Sequence, residues 1–134
     1  MKTLLAAIIL ILGMNNCQQN NVELNYLAKS RGLYLEIELH LNVLITTNQR
    51  EGETKKRELS KIELEDLRRI LEYTNFDNIL STPGIKSHYD AAAIASLNLT
   101  FKGNAHEFEF DHGNPPKNLE ALVNKIITLS EIVE

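Results

Sequence analysis

Residues 94–111 read IASLNLTFKGNAHEFEFD, and this stretch decides the fold. Apolar residues alternate with polar ones on both sides of Gly103-Asn104, a dipeptide suited to a two-residue hairpin turn. With Lys102 opposite Ala105, the two strands place their leucines and phenylalanines on one shared face. The pattern therefore predicts an antiparallel hairpin in which Leu99 faces Phe108 and Leu97 faces Phe110.

The sequence before this hairpin predicts more strands and a helix. Alternation from Leu33 to Ile45 indicates one long strand, bent near Asn42, and the charged segment Glu53–Leu59 is typical of an edge strand. Ser60 and Glu63 have capping-box spacing, which predicts a helix from Ser60 to about Tyr73.

After the hairpin, the turn His112–Pro116 leads into a final helix with Asn114 as its expected N-cap. Its predicted inward stripe ends at Val133 and includes six earlier positions: Leu119, Leu122, Val123, Ile126, Ile127 and Ser130. The expected fold is α+β, with an antiparallel sheet of about four strands and two helices packed on one face, preceded by a signal peptide.

The N-terminus predicts export and lipid anchoring. Lys2 precedes a ten-residue apolar run, residues 4–13, which is too short to span a bilayer comfortably, and Cys17 follows. This order is the layout of a bacterial lipoprotein signal, although Asn16 is an unusual residue before the cysteine. Acylation of Cys17 would anchor the chain stably to a membrane.

The expected organisation is therefore a signal peptide (1–16), a lipidated cysteine with a polar tether (17–30) and a single α+β domain (31–134). The formal charge of −4 argues against nucleic acid as a partner, since phosphate binding needs a basic face. Because Cys17 is the only cysteine, the chain has no intrachain disulfide and no cysteine zinc site. The expected location is the cell envelope, and the expected partners are the lipid membrane and an envelope protein.

Four histidines, His40, His88, His106 and His112, are the residues most suited to site chemistry. His88 and Asp90 share a predicted loop, and Asp111 and His112 end the second hairpin strand. Together they suit a metal site or an enzymatic site as an alternative.

Turn chemistry alone also accounts for Asp, Gly and Asn at residues 111–114. No nucleophile elbow or helical metal motif is present in the sequence, so no catalytic residue, metal or cofactor is expected. The candidate binding surface combines the loop and the turn, with five residues: His88, Asp90, Asp111, His112 and Asn114.

Several segments resemble small uncharacterised lipoproteins of Bacteroidota, flavobacteria especially. They are the signal ending in Asn16-Cys17, Arg31–Ile37, Asp90–Ala92, Phe110–Pro116 and Leu122–Asn124. This resemblance covers nearly the whole chain. That family has no assigned activity, so the resemblance implies a location and a fold but no site.

A second similarity covers about Leu33 to Ile127. The order of strand, helix, Asp-containing loop, Gly hairpin, Pro115-Pro116-x-x-Leu119 and closing helix is similar to emfourin-type inhibitors of thermolysin-like metalloproteases. It implies protease binding through a loop, as an alternative function, at the level of topology alone. The leading expectation is a membrane-tethered, non-enzymatic binding or structural domain.

Overall fold

Six antiparallel strands form one sheet in a computed structural model of the protein, which describes residues 21–49, 52–77, 79 and 93–131. The strand order is β4-β3-β2-β1-β5-β6. The strands are β1 (Glu23–Lys29), β2 (Tyr34–His40), β3 (Val43–Thr47), β4 (Thr54–Glu58), β5 (Ile94–Phe101) and β6 (Asn104–Asp111). Helix α1 (Lys61–Tyr73) connects the two halves in sequence, and α2 (Glu120–Glu131) closes the described chain.

The mixed α and β class is confirmed, but the expectation of about four strands is wrong. Strand β1 falls inside the segment 17–30 that was predicted as a tether, and it lies near the centre of the sheet between β2 and β5. Val22, Leu24, Tyr26 and Ala28 are all buried at alternate positions. The folded domain therefore includes residues well before position 31.

The predicted long strand Leu33–Ile45 is instead the hairpin β2–β3. Leu41 and Asn42 both have positive φ, 48° and 67°, as a two-residue type I′ turn requires. The turn reverses the chain and moves the inward positions from odd to even numbers, so Leu39 faces Leu44. Leu41 is consequently exposed rather than buried.

The hairpin β5–β6 is confirmed, but its predicted register is displaced by two residues. The turn is Lys102-Gly103, with φ of 51° and 77°, and Phe101 faces Asn104. Leu99 therefore faces His106, and Leu97 faces Phe108. Type I′ turns favour glycine at the second central position, which selects this register. A two-residue displacement preserves the faces, so the same apolar side chains still point into the core.

The core fills one face of the sheet. Side chains from β1, β2, β3, β5 and β6 form one buried cluster with both helices, including Tyr26, Phe110, Leu67 and Leu122. Helix α2 packs against β2 and β3, and α1 packs against α2. In the described part of α2 the last buried residue is Leu129, while the expected Ser130 is half-buried and the expected Val133 lies outside the described residues.

The start of α1 is confirmed as predicted. Ser60 Oγ accepts from the Glu63 N–H at 3.2 Å, and Glu63 Oε1 accepts from the Ser60 N–H at 3.1 Å, which completes the capping box. The expected cap of the last helix is wrong. A 3-10 turn at Lys117–Leu119 precedes α2, with Pro116 at its N-cap and no side-chain cap, so Asn114 has no capping role.

The side chain of Arg57 links β4 to both helices. Arg57, on β4, donates from Nη1 to Glu63 Oε1 at 2.9 Å and from Nη2 to the Leu129 carbonyl at 3.0 Å. The Arg57 guanidinium holds the pKa of Glu63 down at about 2. This cluster ties the edge strand to the start of α1 and to the end of α2.

Candidate functional site

The segment Asp111–Asn114 forms a tight turn where β6 ends. Asp111 is buried, and its carbonyl accepts a hydrogen bond from the Asn114 N–H at 2.9 Å. Gly113 has a φ of 89°, a left-handed conformation that favours glycine. Asn114 is exposed beyond the turn. Of the candidate residues in this turn, Asn114 is the one that solvent reaches most freely.

His112 packs inward from this turn against the central strand. Its Nδ1 lies 2.7 Å from the hydroxyl of Tyr26, whose side chain is fully buried on β1. The two rings are also in tilted contact, with centroids 6.0 Å apart. The hydrogen bond satisfies the one polar atom that Tyr26 brings into the core.

Burial displaces both pKa values in the direction that favours neutral groups. It raises the pKa of Tyr26 to about 12 and lowers the pKa of His112 below its usual value of 6.5. Near pH 7 the pair is therefore a hydrogen bond between two uncharged groups. This chemistry is typical of a satisfied core contact, although the second ring nitrogen of His112 is left for other interactions.

The other two members of the candidate surface, His88 and Asp90, lie outside the described residues. The structure does show where their loop rejoins the sheet. The His112 N–H donates to the Ala93 carbonyl at 2.9 Å, so the residue before β5 touches the turn after β6. Ala93, directly before β5, and the Asp111–Asn114 turn thus meet at the same end of the second hairpin.

The remaining histidines lie in separate places. His40 Nδ1 is 3.1 Å from a carboxylate oxygen of Glu23, at the opposite end of the sheet from His112. The His106 ring stacks on Phe76 with centroids 4.3 Å apart. Within the part of the chain that the structure describes, no group of three or more His, Cys, Asp or Glu side chains is placed to hold a metal ion.

A polar network on the second face of the sheet was missed by the sequence analysis. The Asn25 amide donates to Glu36 and to Glu38, both at 3.2 Å, and the Tyr34 hydroxyl donates to Glu36 at 2.9 Å. Asn25 belongs to β1, which was not recognised as a strand. The signal available was the alternation of apolar residues from Val22 to Ala28, interrupted by Leu27.

Strand β1 gives the domain two distinct ends. Its first residue, Glu23, pairs with Thr100 beside the two type I′ turns, and we call this the proximal end because it is near Cys17 in sequence. Its last residue, Lys29, pairs with Ile94, which itself pairs with Asp111. The Asp111–Asn114 turn therefore marks the distal end, about 20 Å from the proximal end along a seven-residue strand.

Among the described residues, no helix has the length and apolar character needed to cross a membrane. A comparison with protein-family models gives no match. A comparison with curated proteins also gives no match.

Proposed function

We propose that the protein is a lipid-anchored envelope protein whose folded part is a non-enzymatic binding domain. In this proposal Cys17 is acylated after removal of residues 1–16. The anchor holds the domain at a bacterial membrane, and the distal end contacts an envelope protein.

The position of β1 is the observation that supports the proposal best. This strand begins six residues after Cys17 and ends beside the turn that contains His112. A chain anchored at Cys17 would therefore hold its proximal end near the lipid and its distal end away from it. The candidate binding residues Asp111, His112 and Asn114 all belong to the distal end, where Asn114 is exposed to a partner.

The displaced pKa values favour binding over catalysis. Tyr26 and His112 are displaced by burial and share one hydrogen bond, while Glu63 is displaced by Arg57 in a helix cap. Each therefore has a structural cause and a structural partner. Catalytic groups instead combine a displaced pKa with a cleft in which a substrate can reach them.

The alternative function, a metal or enzymatic site built on His88, Asp90 and His112, has less support. The Nδ1 of His112 already has the Tyr26 hydroxyl as its partner, which leaves a single ring nitrogen for a metal. The alternative function of a protease inhibitor would use the same surface as the main proposal, because protease binding through the predicted loop would also involve the distal end. It differs only in naming a thermolysin-like enzyme as the partner.

Two measurements test the proposal separately. Mass spectrometry of the mature full chain from the membrane fraction should show an acylated N-terminal Cys17, and an unmodified thiol there would rule out the anchor. A pull-down from envelope extracts should recover a partner with the wild-type chain and less of it with Asn114→Arg, while Asn98→Arg serves as a control at an exposed site in the middle of the sheet. Equal recovery with both variants would exclude Asn114 from the contact. An inhibition assay against a thermolysin-like enzyme then decides the partner class.

A further inference from the structure

Helix α1 lies along the proximal end of the domain, from one hairpin turn to the other. Just before its start, the Leu59 N–H donates to the Asn42 carbonyl at 2.9 Å, in the turn between β2 and β3. Near its finish, Glu72 forms an ion pair at 3.7 Å with Lys102, in the turn between β5 and β6. The proximal end thus consists of both turns, the start of β1 and α1.

This end holds three of the four large hydrophobic side chains that are exposed in the described part of the chain. Leu41, Ile62 and Tyr73 are 64%, 72% and 85% exposed. The fourth of these residues, Leu33, lies at the distal end and is only 36% exposed. Single exposed hydrophobic residues are ordinary on protein surfaces, but three at one end make that end of the domain more apolar than the other.

Two of these side chains share one side of the helix. Ile62 and Tyr73 are eleven positions apart in α1, which is close to three full turns. They project from the same outer side, with the exposed residues Glu65 and Arg69 between them. The outer side of α1 is therefore apolar at both of its ends, next to one hairpin turn and then the other.

Leu41 has a backbone conformation that its residue type does not favour. Its φ is 48°, at the first central position of a type I′ turn, where Asn, Asp and Gly are the usual residues. Because the side chain is mostly exposed, the core does not account for a leucine at this position. A contact with something outside the domain would account for the apolar side chain.

The chain length before β1 limits how far the proximal end can be from an anchor. Residues 18–22 are the only ones between Cys17 and Glu23. Even if fully extended, six residue steps span at most about 20 Å. An acyl group on Cys17 would therefore keep the proximal end within about 20 Å of the membrane, which favours this end over the distal end as the one that meets the lipid headgroups.

We infer that the proximal end is a lipid-contacting surface, with Leu41, Ile62 and Tyr73 inserted among the headgroups. This inference rests on the proposed anchoring at Cys17 and adds an orientation to it. The charges at this end are nearly balanced, with Lys61, Arg69 and Lys102 against Glu23, Glu65 and Glu72. The contact is therefore apolar in character and does not require acidic lipids.

The test uses the full, acylated chain in phosphatidylcholine vesicles that contain lipids with a quencher near the headgroup. Acylation occupies Cys17, so one new cysteine at a time can carry an environment-sensitive dye. The proximal variants are Leu41→Cys and Tyr73→Cys, and the matched distal variants are Leu33→Cys and Asn48→Cys. All four positions are exposed at the surface, and thermal unfolding checks that each variant is folded.

Blue-shifted emission and strong quenching at positions 41 and 73, with little of either at positions 33 and 48, would support the orientation. Equal quenching at both ends, or stronger quenching at the distal end, would overturn it. Cross-linking from position 41 to a second copy of the chain, without quenching, would assign this surface to self-association and also overturn it.

Mass spectrometry of Cys17 in the same samples separates the two proposals. Acylated Cys17 with no quenching at positions 41 and 73 would refute the orientation alone. An unmodified Cys17 would refute the anchor and the orientation that rests on it.

Discussion

Replacement of Glu63 by Gln should make the domain less stable near neutral pH and have little effect at low pH. The Glu63 carboxylate accepts from Arg57 at 2.9 Å and from the Ser60 N–H at 3.1 Å. These interactions hold its pKa at about 2, against an ordinary value of 4.5. The glutamine keeps the acceptor oxygen but removes the charge that pairs with the arginine.

The lowered pKa sets both the size and the pH range of the effect. A pKa displaced from 4.5 to about 2 corresponds to at most about 3 kcal/mol of stabilisation. Because the side chain is 21% exposed, screening by water reduces the expected value to about 1–2 kcal/mol. The unfolded chain releases this proton near pH 4.5, so the stabilisation is complete above that pH and decreases as the pH falls toward 2.

Urea unfolding of the wild-type chain and Glu63→Gln at pH 7, 4.5 and 3 measures this difference directly. Glu65→Gln, an exposed position on the same helix, is the matched control and should change stability by less than about 0.5 kcal/mol. In an Arg57→Met background, Glu63→Gln should cost much less, since its charged partner is gone. A loss that is equal at pH 7 and pH 3, or undiminished without Arg57, would refute the ion pair as its cause.

Three further predictions concern the core and the turns. Tyr26→Phe removes the hydrogen bond to His112 and should lower the free energy of unfolding by about 1–2 kcal/mol; the exposed Tyr73→Phe is the control, and equal losses would contradict a role for the bond. Leu122→Ala empties a fully buried site and should cost about 2–5 kcal/mol in chemical unfolding, so a loss below 1 kcal/mol would mean that the site collapses. Leu41→Asn suits the positive φ of its turn and should raise stability by about 0.5 kcal/mol; a lower unfolding midpoint would show that Leu41 has packing that the structure does not account for.

The helices and edge strand were predictable because each has a strong local signal. The capping box of Ser60 and Glu63 defines the start of α1, and the charged segment before it can only be tolerated at an edge. Strand β1 was missed because a run of polar residues precedes it and Leu27 interrupts its alternation. Its central place comes from pairing with β5, a contact that no local pattern encodes.

The positions of the two hairpin turns were also predicted incorrectly. Leu41 has no turn propensity, so an uninterrupted alternation predicted one strand where the structure has two. In the second hairpin, Gly103 was assigned to the first turn position when it holds the second. At the candidate site, the sequence identified the Asp111–Asn114 turn but not the Tyr26 hydroxyl beneath His112, because the partner lies 86 residues away in the chain.

The central place of β1 also constrains when the domain can fold. Glu23 pairs with Thr100 and Lys29 pairs with Ile94. One edge of β1 therefore has no hydrogen-bonding partner until residues far along the chain are present. In a chain that becomes available from its amino end, β1 to β4 would come first as a half sheet with Leu24 and Tyr26 uncovered. Loop closure of this length is slow compared with local hairpin formation. If the chain is exported and anchored as proposed, β1 must be kept from aggregating until β5 is available to pair with it.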